Sequence, residues 1–292
     1  MRWIKGLVPT VIILLGALVL GCICYVSIWG APSFVVQRVE QALMEKGIPV
    51  HIETLKISLW PRAVVTLKKV ELLDPGVPPE ARRPVALLHE ADVALNWKEL
   101  IDGQVVPERL NVKGLDVNLP VDAEKPERVF STAGLNAELD LGRPGMVDIV
   151  KADAVVQGIR VTAQGAFSIG QGDSGDFTLT AEDMAAAREE LNQVLKYLDR
   201  VKWPEASPPS LAVNLSDDPK GGVRVGMDLQ APSLRYGKIR VRDFLFSGDY
   251  ADSVIMAKRF TMRDAETAGF VNLSLQADLK KRSLIWDCLL YT

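Results

Sequence analysis

The sequence predicts a mainly β protein: an N-terminal transmembrane helix, then an elongated, curled antiparallel β-sheet, groove-like, with one amphipathic helix inserted. Three observations carry this. Beyond residue 48, apolar residues recur at every second position in segment after segment. Only one long stretch, after Thr180, keeps a period of 3.6. Residues 7–29 form an uncharged run. A period of 2 places alternate side chains on opposite faces of a strand, whereas 3.6 gathers them on one side of a helix.

The run from Leu7 to Trp29 is 23 residues long, or roughly 35 Å as a helix, which spans a bilayer core. Trp3 stands at one end and Tyr25 and Trp29 at the other, as in an interfacial aromatic belt. Arg2 and Lys5 precede the span, so the tip 1–6 is expected in the cytoplasm and the bulk of the chain outside it. The run is longer than the apolar core of a cleaved signal peptide. Val19-Leu20-Gly21-Cys22 has the look of a lipoprotein site, but the chain stays apolar through Val26. An uncleaved single-pass anchor fits best. Cys22 and Cys24 fall within it, leaving Cys288 alone outside, so the exported part is expected to hold together by packing and not by disulfides.

Residues 31–47 read as a short amphipathic helix, with Ser33 as cap, Val35, Val36, Val39, Leu43 and Met44 on one side, and Gly47 at its end. A first β block covers 48–180. In it alternate Ala91-Val93-Leu95-Trp97, Leu135-Ala137-Leu139-Leu141 and Ile159-Val161-Ala163-Gly165-Phe167-Ile169. At Gly114 the phase slips, with Leu110 and Val112 before it and Leu115, Val117 and Leu119 after, which predicts a bulge. Helix and linker follow over 181–209. Thr180 and Asp183 can form a capping box for a helix from Glu182 to Lys202, packed on an edge or end of the sheet, and Pro204 stops it. A second β block covers 210–292, with Val223-Val225-Met227-Leu229 and Val271-Leu273-Leu275-Ala277-Leu279. It ends in what reads as mid-strand, as a truncated copy or a fragment would.

About a dozen strands thus each offer an apolar face, and one substantial helix is too little to cover them. Either the sheet closes on itself as a sandwich or filled barrel, or it leaves an apolar trough that accepts lipid tails. In the second case Val93, Leu95, Leu115, Val117, Leu139, Val161 and Phe167 are the candidate lining residues.

Composition narrows the function classes. Lys and Arg total 34 against 37 Asp and Glu, and without a basic stripe nucleic acid is not an expected partner. Two His and three Cys are too few soft ligands for a zinc cage, so neither metal nor cofactor is expected. Gly170-Gln171-Gly172-Asp173-Ser174-Gly175 spells a dinucleotide fingerprint, but strand-like Phe177-Thr178-Leu179 follows where a helix is required, so it reads as a hairpin loop. His51 and His89 lack a nucleophile or paired acid at catalytic spacing. Asp153, Asp173, Asp176, Glu182 and Asp183 read as solvated turn and cap residues, and Lys280-Lys281-Arg282 as a solvated turn. With no catalytic set, the chain is not expected to be an enzyme.

A resemblance rests on residues 57–119. Leu59-Trp60-Pro61-Arg62-Ala63-Val64-Val65-Thr66-Leu67 leads to Val70-Glu71-Leu72-Leu73-Asp74-Pro75. Then come Ala91-Asp92-Val93-Ala94-Leu95, Trp97-Lys98-Glu99-Leu100-Ile101-Asp102-Gly103 and Val112-Lys113-Gly114-Leu115-Asp116-Val117-Asn118-Leu119. Behind its apolar span, this order resembles the N-terminal region of AsmA-like proteins, whose larger relatives look like bridge-type lipid-transfer proteins of the bacterial envelope. The resemblance covers the anchor and about the first 120 residues; beyond that only strand type agrees. It implies a protein of the bacterial inner membrane, with its bulk in the periplasm, acting in outer-membrane biogenesis. Its implied partners are phospholipid acyl chains, the inner membrane and other envelope proteins. Such proteins usually run several hundred residues longer, and a groove this short does not cross a periplasm unaided. The alternative reading is a non-lipid-binding envelope scaffold or adaptor with a closed β-sandwich, joined to partners by strand addition.

Overall fold

The computed structural model describes residues 30–59, 61–75, 77, 80, 82–122, 125–168, 180–219, 221–264, 266, 269–278 and 283–291. The expected span at 7–29, the loop 170–175, Asp173, Asp176 and the turn 280–282 lie outside the described residues. No helix among the described residues is long and apolar enough to cross a membrane.

The strands are β1 (Val50–Ser58), β2 (Val64–Leu73), β3 (Pro84–Leu95), β4 (Pro107–Pro120), β5 (Val129–Asp140), β6 (Met146–Val156), β7 (Ile159–Ser168), β8 (Val201–Lys202), β9 (Ser210–Asp217), β10 (Val223–Tyr236), β11 (Ile239–Ala251), β12 (Val254–Asp264), β13 (Phe270–Asp278) and β14 (Ser283–Tyr291). Thirteen of them lie side by side in one large sheet, in chain order except for the short β8, which pairs β10 off the path. The sheet is not closed: β1 and β14 stand at its two ends. The expected two β blocks are therefore one sheet. They join through β7 and β9, which pair in parallel, Arg160 opposite Ser210 through Gly165 opposite Leu215. This corrects the expectation of a wholly antiparallel sheet. A parallel pair needs a long crossover, and the inserted helix is that crossover.

The helices depart from expectation at their ends. α1 spans Ser33–Glu45, with Pro32 and not Ser33 at its N-cap and no side-chain cap bond. The amides of Gly47 and Ile48 close its C-terminus on Met44 and Leu43, and Gly47 supplies the positive φ of 78° this turn requires. α2 (Trp97–Ile101) replaces the end of the alternating run expected over Ala91-Val93-Leu95-Trp97, because the Asn96 side chain accepts from the amides of Lys98 and Glu99 and turns the chain into a helix. Trp97 is thus half exposed on α2 and not part of the alternation. α3 (Ala181–Leu198) starts at the expected capping box between Thr180 and Asp183. It stops short of Lys202, since Val201 and Lys202 pair with Tyr236 and Arg235 as β8.

β10 runs seven residues past Leu229 despite Pro232. Proline is tolerated because β9 pairs only up to Gln230 and β8 only from Arg235, so no neighbour on that side needs its missing N–H. α1 lies along the free edge of β1, where Glu40 accepts the Ile52 amide at 2.7 Å and the Ala31 amide donates to the Leu55 carbonyl at 2.6 Å. A free strand edge is a template for unwanted pairing, and α1 blocks this one. α3 crosses the end of the sheet where β2 and β4 finish. Arg188 donates to both carboxylate oxygens of Asp74 at 2.6 Å, and Arg128, just before β5, donates to Asp199.

Candidate functional site

Residues directly opposite in a sheet share a face, so the pairing register sorts every side chain. One row runs Ile57, Val65, Val93, Leu110, Leu139, Ile149, Gly165, Leu215, Val225, Tyr250, Ile255, Ala277. It crosses twelve strands without a charged residue. The next row runs Leu55, Leu67, Ala91, Val112, Ala137, Ala152, Ala163, Val213, Met227, Gly248, Ala257, Leu275. A third holds Ile52, Val70, Leu88, Leu115 and Leu135 at one end and Ala154, Val161, Leu211, Leu229, Phe246, Phe260 and Leu273 at the other. At about 4.8 Å per strand these rows make an apolar band roughly 50 Å long.

A continuous band needs a device, because the strands do not alternate regularly. Apolar residues stand three apart, not two, at Ile52 and Leu55, Leu67 and Val70, Leu88 and Ala91, and Val112 and Leu115. These four breaks lie opposite one another, since Ile52, Val70, Leu88 and Leu115 pair in one row and Leu55, Leu67, Ala91 and Val112 in the next. Lys69 and Gly114 take up the extra residue at φ 49° and 65°. The bulge expected at Gly114 is therefore one member of a crease shared by β1 to β4. Without it the apolar residues on one side would point to the opposite face. A Cβ at Gly114 would come within 2.8 Å of the His89 ring, so glycine is required there on two counts.

All seven expected lining residues fall on this face. Val93 and Leu139 share the first row through Leu110. Leu115 and Val161 belong to the third, Val117 pairs Ala86 and Thr132, and Phe167 pairs Val147. Leu95 pairs Pro107 past a register shift and lines a cavity of about 680 Å³ at the α2 end with Trp97 and Arg109. The sequence reading missed the remaining members, above all Leu67, Leu110, Leu215, Phe246 and Phe260. For Leu67 and Phe260 the signal was three-residue spacing around the charged pairs Lys68-Lys69 and Lys258-Arg259. For Leu110 and Leu215 it was plain alternation with Val112 and with Leu211 and Val213.

The band is not a filled core. Ile52, Leu55, Ala86 and Ala91 are buried, but most members of the rows stay half-buried. Its middle row is floored by Ala137, Ala152 and Ala163, and by Gly248 and Ala257 further on. Small residues leave space above a sheet where large ones would fill it. The only aromatic stacking among the described residues is Phe244 edge-on to Phe260 at 5.3 Å between centroids.

The opposite face is polar and charge-matched over β2 to β6. Glu90 accepts from Lys68 and Lys113, each at 2.6 Å, and Asp92 accepts from Thr66 at 2.7 Å. Hydrogen bonds from Lys113 and then Lys68 hold the Glu90 carboxyl down to about 2, and the bond to Glu90 holds the Lys113 ammonium above its ordinary value. His51 bonds Glu40, and His89 lies 3.4 Å from Asp116; both are exposed. Asp153 bonds Asn136, and Asp183 serves the α3 cap. Among the described residues no three His, Cys, Asp or Glu side chains gather where they could hold a metal ion. No family model matches the chain, and no curated protein or solved structure matches it either.

Proposed function

We propose that this chain binds or conducts phospholipid acyl chains along its apolar face, curled into a groove, as an inner-membrane-anchored periplasmic protein of AsmA-like type acting in outer-membrane biogenesis. The observation that carries this reading is the unbroken apolar band on a sheet that is not closed and has, among the described residues, one long helix to offer as cover. Water against that band is unfavourable. Each methylene moved onto it contributes about 0.8 kcal/mol, so a tail of a dozen carbons gains on the order of 10 kcal/mol before ordering costs. Tails enter without crossing water when the band is tethered to a bilayer, as an anchor at 7–29 would tether it. The polar face, with its matched ion pairs, remains toward solvent. No covalent chemistry is asked of the protein: it offers a dry surface of the right length and releases what it holds.

Native mass spectrometry of the full chain, extracted in mild detergent, tests this. Phospholipid adducts are expected, in a defined number, and Leu139→Asp should reduce them at least severalfold. A lipid-free spectrum under conditions that preserve lipid on other membrane proteins would overturn the reading.

A further inference from the structure

Cations on the polar face of β2 to β6 lie against carboxylates, but at the far end of the sheet the pattern reverses. Arg235 on β10 stands directly opposite Lys202 on β8 and directly opposite Arg240 on β11. In the adjoining row Arg242 stands opposite Arg263. Like charges placed opposite one another in a sheet repel and destabilise it. Lys202, Arg235 and Arg240 are exposed, and no carboxylate among the described residues forms an ion pair with any of the three. The three border one cavity of about 430 Å³ together with Trp203, Arg242 and Glu266. Its size suits a small polar group, and Glu266 is the one carboxylate on its wall.

We propose that this cavity is a binding site for a phosphate-bearing group, with Lys202, Arg235 and Arg240 as its principal ligands. Two guanidinium groups present planar forks matched to phosphate oxygens, and the lysine adds a point charge. Bound phosphate turns the repulsion within the row into shared attraction. The site lies beyond Leu229 and Phe246, at the end of β10 and β11 outside the three apolar rows, so it does not depend on acyl-chain binding there. The phosphate can belong to an anionic lipid headgroup or to a soluble phosphorylated molecule.

Calorimetric titration of the full chain in non-ionic detergent distinguishes these. The probes are glycerol 3-phosphate, dihexanoyl phosphatidylglycerol and, as zwitterionic control, dihexanoyl phosphatidylcholine. Binding of both anions assigns the site to phosphate as such, and binding of the anionic lipid alone assigns it to a headgroup. In either case the double variant Arg235→Gln/Arg240→Gln should bind at least tenfold more weakly. Lys258→Gln, which removes a cation paired with Asp249 at 2.6 Å, should bind as the parent does. Without ligand the double variant should melt no lower than the parent, because it removes opposed like charges. The proposal is overturned if neither anion binds, if the zwitterion binds equally, if the double variant keeps its affinity, or if it melts lower. Glycerol 3-phosphate carries no acyl chain, so its result stands whether or not lipid tails occupy the apolar rows.

Discussion

Gly165 adopts φ 129°, and a Cβ added there would stand 2.0 Å from the Leu215 carbonyl oxygen. That contact is with backbone across the parallel β7–β9 junction, so no rotamer relieves it. Gly165→Ala should therefore cost about 3 kcal/mol or more, well beyond an ordinary surface change, and a urea titration reads it as a lower midpoint. The sequence displayed Gly165 as one more member of an alternating run. Its role was hidden because the partner strand lies 50 residues further along the chain. Gly114 was legible, since the phase slip there is local. Glu90 makes a different prediction. Its carboxyl is held at about 2 in the folded protein against an ordinary 4.5. A depressed folded value stabilises above the unfolded one, so the contribution is complete above about pH 4.5 and fades as pH falls toward 2. With a side chain 24% exposed, the gain stays near 1 kcal/mol or less. Glu90→Gln should lower stability by about that amount at pH 7, and the difference should close between pH 4.5 and 2 in a series of denaturant midpoints.

Helix α3 shows how an element can be read from sequence while its mooring cannot. Thr180, Asp183 and the apolar period announce the helix and its start. Its attachment to Asp74, 114 residues earlier, has no local signal. Asp74 is 7% exposed, and removing Arg188, whose Nη2 bonds both of its oxygens, leaves a buried carboxylate without that charge. Arg188→Ala should cost about 2–3 kcal/mol, and hydrogen exchange should quicken across Ala181–Leu198 more than across β10. The Asp74→Asn/Arg188→Ala double variant should recover part of the loss, since the carboxylate left without its guanidinium partner is gone. Among the strands, period-2 alternation marked β3, β5, β7, β10 and β13 but misjudged ends such as those of β3 and β10. Asn96 cut β3 short by capping α2, and Pro232 did not stop β10 because it fell in the gap between β9 and β8.

For the whole molecule, the sequence already posed the imbalance between much apolar sheet and little helix. What it left open was whether that sheet closes on itself. The answer depends on strand order over the full chain, which no window of residues contains. The sheet is single and not closed, and a crease in register across β1 to β4 keeps its apolar residues together. The central claim is that this face, and not the other, holds lipid tails. Photo-crosslinkers placed one at a time at Val93, Leu139 and Val161, and at Asn136 and Arg160 on the polar face, test it in intact membranes. Phospholipid captured at the first three positions and not at the last two is the predicted result. Capture confined to Asn136 and Arg160, or none at any of the five, would contradict it.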